Sequence, residues 1–127
     1  MKLKHFNLSF GTQIFKSFSD ESRTRILNLL FHIGELTISD LVSILDFTQT
    51  KTSRHMSFLR NAGMVTARHQ DQWVFYSIRE ESYNMVKQIF NFVEKDPMLL
   101  KDIKTYETLK NNRELAVNKL EAKDYRR

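Results

Sequence analysis

At 127 residues, 41% of them hydrophobic with ten Phe and five Met, the chain has material for one domain with a modest core. The absence of cysteine excludes disulfides, thiol redox chemistry, thiolate metal ligands and cysteine nucleophiles, and no apolar run approaches the roughly eighteen residues of a membrane span. Net charge is +5, concentrated in residues 48–79, where Lys51, Arg54, Arg60, Arg68 and Arg79 face Asp71 alone; residues 1–47 balance to zero.

The opening MKLKHFNLSF lacks the sustained apolar stretch of a signal peptide, so the expectation is a cytoplasmic protein without membrane contact. Ile14, Phe15 and Phe18 recur at helical spacing and predict a first helix over roughly 13–18. Asp20 then stands as an N-cap ahead of ESRTRILNLLFHI, whose stripe Ile26, Leu27, Leu30, Ile33 ends at Gly34, a residue suited to a left-handed helix terminus. Thr37 with Asp40 three residues on resembles a capping box, and Ile38, Leu41, Val42 and Leu45 give a short helix one buried face.

The next stretch, TQTKTSRHMSFLRNAG from Thr48 to Gly63, is helical in pattern but unusual in content. Thr52, Met56, Leu59 and Gly63 fall on one side and Thr50, Arg54, Ser57 and Asn61 on another, an amphipathic arrangement. Its first half is almost all hydroxyl, amide and cationic side chains, although Ser and Thr compete with the helical backbone. Short polar groups at a helix N-terminus permit close approach to base edges in a major groove, and the free amide N–H groups there suit a phosphate. After Gly63 the period changes. Met64 to Arg68 and Trp73 to Ile78, rich in Val, Thr, Trp, Phe and Tyr around HQDQ, predict a β-hairpin. Helix resumes near Ser82, apolar on two sides, with Tyr83, Val86, Phe90 and Val93 on one and Met85, Ile89 and Phe92 on the other. Asp96-Pro97 reads as N-cap and N1 proline of one long last helix through Ile103, Tyr106, Leu109, Val117 and Leu120, with KDYRR frayed at the end.

The predicted class is therefore mainly α with a small β-hairpin, a winged helix-turn-helix in the order α-α-α-α-β-β-α-α with a long C-terminal helix. Residues 10–96 would form the DNA-binding and dimerisation domain and 97–127 a C-terminal helical extension. FKSFSDESRTRILNLL and ELTISDLVSILDFTQTKTSRHMSFLRNAGMVTARHQDQWVFYSI resemble the opening and the helix-turn-helix and wing of the ArsR/SmtB family. The resemblance spans roughly residues 14–83 and is most specific in SDESRTRIL and SRHMSFLRNAGMV. It implies a dimeric repressor on an inverted-repeat operator, with double-stranded DNA as partner; separately, nothing in the chain reads as a phosphate loop, a nucleophile elbow or a paired-carboxylate site, so no enzymatic activity is expected. By it, Gln49, Thr50, Lys51, Ser53, Arg54 and His55 lie in the recognition helix, and Arg68, Gln70 and Gln72 in the wing; Thr48, Ser57 and Arg60 complete the expected DNA-binding set. Where metal-sensing members typically carry cysteines, this chain has Thr37 and Ser39, poor ligands for a thiophilic ion. The zinc site that other members build between C-terminal helices is not matched either, because residues 82–95 contain no histidine. The expectation is no metal site and no cofactor.

His5, His32, His55 and His69 show no i, i+4 pairing. His32 reads as a residue favoured by a helix C-terminal dipole, His55 equally as a DNA contact or a surface residue, His69 as wing decoration, and Trp73 as a hairpin-face residue rather than part of a ligand pocket. The unspent stripes Phe10, Ile14, Phe18 and Met85, Ile89, Phe92 predict a homodimer interface. A small-molecule or protein effector is left unidentified. The space near Tyr83, Phe90, Tyr106 and Leu109 is a candidate for an apolar ligand, with plain packing of those side chains as the stronger alternative. A constitutive DNA binder without effector fits the same residues; a winged-helix module working through protein–protein contacts is fed by the long C-terminal helix and does not explain the short polar groups.

Overall fold

The computed structural model describes residues 7–93 and 95–125, with side chains to residue 122; His5, one of the four histidines named above, lies outside the described residues. The order is α1 (Leu8–Phe18), α2 (Glu21–Ile33), α3 (Ile38–Leu45), α4 (Gln49–Asn61), β1 (Val65–Gln70), β2 (Trp73–Ile78), α5 (Glu80–Val93), α6 (Pro97–Asn111) and α7 (Ala116–Tyr125). This is a winged helix-turn-helix, mostly helical with a two-stranded antiparallel hairpin.

Local chemistry accounts for most boundaries. The Asp20 side chain accepts from Arg23 N–H (3.1 Å), and α2 closes at Gly34 with φ 109°. At α3 both halves of the capping box form: Asp40 N–H donates to Thr37 Oγ1 and Thr37 N–H to Asp40 Oδ2, each at 3.1 Å. Asp46, left-handed at φ 58°, turns the chain into α4, which Thr48 caps by accepting from Lys51 N–H (3.1 Å). Gly63 N–H donates to Arg60 C=O and Met64 N–H to Leu59 C=O, the pair of bonds that seals a helix whose next residue is left-handed.

Three boundaries differ from the sequence expectation. Helix α1 begins at Leu8, because Asn7 caps it by accepting from Phe10 N–H (2.9 Å). Strand β1 runs on through His69 and Gln70 to pair Gln70 with Trp73, so the turn is only Asp71-Gln72, with Asp71 at φ 54°. The run from Pro97 to Leu120 is two helices; α6 is the long one, at 15 residues, and it stops at Asn112-Arg113, where Arg113 takes φ 60°.

Helix α2 is the centre. Ile26, Leu27, Leu29 and Leu30 are buried, against α1, α4, α5, α6 and β2. Phe90 of α5 packs edge-on to Phe18 (5.5 Å) and tilted on Phe31 (5.7 Å), and Tyr83 lies over Phe31 (5.2 Å). Tyr83 and Phe90 are thus engaged in an aromatic cluster, and Tyr106 and Leu109 pack against the same core. The C-terminal extension also lies on this body. Leu99 and Leu115 join the core, and Arg25 makes a two-pronged ion pair with Asp102 (2.9 and 3.0 Å). Fully burying a leucine contributes about 1.5–3 kcal/mol, which outweighs the marginal intrinsic stability of short helices.

Candidate nucleic-acid interface

Helix α4 divides cleanly by face. Thr52, His55, Met56 and Leu59 are buried at the i, i+3, i+4, i+7 spacing of one helical side. Thr48, Gln49, Thr50, Arg54, Ser57 and Arg60 are exposed, with Lys51 and Ser53 half-buried at the border. The sequence expectation of His55 as a DNA contact is therefore corrected: it is 8% exposed because it sits one turn from Thr52 and Leu59 on the inward side. Burial holds its imidazole below the ordinary histidine value, against the pull of the nearby Asp20 carboxylate. Burial works to raise the Asp20 carboxyl, but the Arg23 N–H bond together with His55 and the Arg23 charge holds it lower than usual.

Lys51 rests its ammonium over the Phe47 ring (4.1 Å), in the first turn of α4. Ser53, Ser57 and Arg60 border a small cavity of about 100 Å³ that reaches Ile38 and Tyr76, between the recognition helix and the wing.

In the wing, Arg68 and Gln72 are exposed and Gln70 half-buried. Arg68 is already held: its guanidinium donates twice to Glu35 (2.9 Å each) and once to Gln70, and it lies over the Phe75 ring (5.0 Å). The Arg68 hydrogen bond keeps the Glu35 carboxyl below its usual range. Glu35 sits beside Leu36, whose N–H and C=O both bond to Tyr76 (3.1 and 2.9 Å), so the loop before α3 is stitched to β2. Sequence reasoning missed Glu35, since a single residue pairing with a hairpin has no periodic signal. Arg79, part of the basic tally, is ion-paired with Glu81 (3.1 Å) behind the hairpin.

The expected dimer surface is rearranged. Ile14 is 1% exposed and belongs to the chain's own core; the stripe was read four residues apart on α1, and its middle member packs into that core rather than outward. Phe10, Phe18, Met85 and Ile89 are half-buried against that core. The most exposed apolar groups of α1 and α5 are Leu8 at 88%, Phe15 at 69% and Phe92 at 91%. Leu8, Gly11, Phe15 and Met85 border a groove of about 310 Å³ whose floor is Ile14. A second cavity, about 340 Å³, lies where α6 meets the body, lined by Phe18, Arg25, Val93 and Leu99 among others, none of them the four residues proposed from the sequence. Among the described residues, no three His, Asp or Glu side chains come together to hold a metal, and no helix is long and apolar enough to cross a membrane.

With that geometry in place, the matching family model, described as bacterial regulatory protein, arsR family, covers residues 20–67. A cadmium resistance transcriptional regulatory protein, CadC of Listeria innocua, is 32% identical over 95 residues, 74% of this chain and 80% of CadC. The chain belongs to the arsR family. The arsenic resistance transcriptional regulator ArsR2 of Pseudomonas putida is 41% identical over 76 residues, 60% of this chain and 66% of ArsR2. Across the arsenic-resistance regulators it matches first, this arsR-family chain spans between about half and two thirds of their own length. Among solved structures, the homodimeric winged helix-turn-helix DNA-binding domain of Mb0332 from Mycobacterium bovis superposes with TM-score 0.62 at 21% identity, over 77% of this chain and 90% of that one. These similar proteins are transcriptional regulators rather than enzymes.

Proposed function

We propose that the protein is a sequence-specific DNA-binding transcriptional regulator acting as a homodimeric repressor on an inverted-repeat operator. The observation that carries this reading is the division of α4, which buries Thr52, Met56 and Leu59 while leaving Gln49, Thr50, Arg54 and Ser57 at the surface. A helix with short polar groups at its outer N-terminal face is shaped for base edges, and Arg54 is long enough to bond a guanine. The surrounding cations Lys51 and Arg60 serve phosphates. Leu8, Phe15 and Phe92 support a second copy as partner, since large projecting apolar groups are better buried against another chain, and Mb0332, which shares the fold, is described as homodimeric. Two-fold symmetry would set the recognition helices roughly 34–36 Å apart, one turn of DNA.

The relatives are named for arsenic and cadmium resistance, but this chain has no thiolate to offer such ions. It is therefore expected to hold its operator in the presence of micromolar arsenite or cadmium. The test is to select DNA from a random pool, sequence it, and measure mass by light scattering with and without the selected duplex. Recovery of an inverted repeat bound by a dimer is expected; a monomer, or a pool without enriched sequence, would overturn the proposal.

A further inference from the structure

The last helix reaches the wing, and its attachment is built from distant residues. Helix α7 follows Leu115, which has no side-chain oxygen to cap it; the first N–H of the helix, at Ala116, donates instead to Asp40 Oδ1 (2.8 Å). The other oxygen of the same buried carboxylate accepts from Thr37 N–H at the start of α3. One side chain thus caps two helix N-termini, where a negative charge is favoured by both dipoles, and locks α7 to the helix-turn-helix. Leu115 N–H is satisfied by Asn118 Oδ1 (3.2 Å). From that anchor, Ala116 and Leu120 pack with Phe75 and Trp73 of β2 in a cluster separate from the main core. Phe75 is the cross-strand partner of Arg68, whose guanidinium lies over its ring.

We propose that α7 is a positioning element for DNA binding: Asp40 and Leu120 hold Phe75, and through it fix where the wing presents Arg68. The proposal rests on the DNA-binding reading above and adds a task for the C-terminal extension. A two-stranded ribbon is marginal alone, and a charged group serves a phosphate only if its support is rigid. Helix α7 supplies that support through Phe75 and Trp73, on the hairpin face that also carries Arg68.

Trp73 is the single tryptophan of the chain and lies in the cluster, so its emission reports docking without DNA. The experiment compares the unsubstituted 127-residue chain with Leu120→Asp, Leu120→Met, Arg68→Ala and the Leu120→Asp/Arg68→Ala double variant. Each is measured by Trp73 emission and acrylamide quenching, by thermal unfolding, and by the salt dependence of binding to a random-sequence duplex. Leu120→Asp is expected to shift Trp73 emission to the red and to flatten the salt slope by about one phosphate contact, the effect expected of losing one phosphate-binding cation. Leu120→Met should restore both. The double variant should lose no more affinity than Arg68→Ala alone, because both act through the same wing contact. Should Leu120→Asp fail to unfold cooperatively, Leu120→Ala takes its place with the same expectations. A red shift with unchanged salt slope, an unmoved Trp73, or additive losses in the double variant would overturn the proposal. An unchanged slope in Arg68→Ala would overturn it too, and Trp73 then separates a failure of the wing contact from a failure of docking.

Discussion

Helices α4 and α6 stop in the same way with different residues. At α4, Gly63 takes φ 79° and the bonds Gly63 N–H to Arg60 C=O and Met64 N–H to Leu59 C=O close the end. At α6 the same two bonds form from Arg113 N–H to Lys110 C=O and Glu114 N–H to Leu109 C=O, but the left-handed residue is Arg113. A non-glycine side chain in that conformation costs roughly 1–2 kcal/mol, so something beyond the turn must hold it. Burial of Leu115 and the Asp40 bond to Ala116, immediately after the turn, are what hold it. The stop of α4 is set by neighbours in sequence, and that of α6 by a partner 76 residues from Ala116.

That contrast can be broken most forcefully at Arg25. Its Arg25→Ala variant leaves Asp102, 2% exposed, as a buried carboxylate without its cation. Breaking one side of a buried pair costs about 3–5 kcal/mol, so the urea midpoint should fall sharply; a loss under 1 kcal/mol would mean the extension is not fastened there. On the recognition side, Arg54→Ala should leave the melting curve unchanged, since Arg54 is exposed, while weakening binding to the selected operator by about 1–3 kcal/mol if it is bidentate to a guanine. Equal losses on specific and random duplexes would assign it to phosphate.

The two helix stops give a smaller, reciprocal pair. Gly63→Ala should destabilise by about 1–2 kcal/mol, because the added methyl also meets Arg79 Nη1 at 3.2 Å and Phe10 Cε1 at 3.5 Å. Arg113→Gly relieves the same penalty, with roughly 0.4–1 kcal/mol returned through the greater freedom of glycine in the unfolded chain; the net expectation is a gain of about half a kcal/mol. Chemical denaturation of both variants checks the signs. A stabilising Gly63→Ala would contradict the left-handed turn.

The smallest expected effect is in pH. The folded-state value of His55 is lowered from 6.5 by burial, so the unfolded chain binds that proton first. Its contribution is therefore fully present above the unfolded value and lost as pH falls from about 6.5 toward the lower folded one. Asp20 and Glu35, lowered from 3.8 and 4.5, lose theirs only in stronger acid. Urea midpoints between pH 8 and 5 should decline, and His55→Gln should flatten the decline; an identical slope in the variant would place the titration elsewhere.

Much of the recognition half was legible because its signals are local. The Thr37–Asp40 box, the Thr48 cap, Gly34, Gly63 and the change from helical to alternating period all act within four residues, a range over which sequence and geometry are nearly the same thing. His55 and Ile14 were misplaced because the side of a helix that becomes core depends on what packs there, and periodicity alone left both faces open. The apolar stripe on α1 reads identically whether Ile14 packs into the core or against a second chain.

What the sequence determined by itself is the element order as far as α6, the basic stretch and the polar face of α4, together with the absence of any thiolate. Tertiary structure alone decided that α7 exists as a separate helix, that Asp40 caps it across 76 residues, that Arg68 is held by Glu35, and that the hairpin rests on Leu120. The physical reason is common to all four. Each depends on a bond or a buried contact between residues far apart in the chain, where no spacing rule relates the partners and only the closing of the fold brings them together.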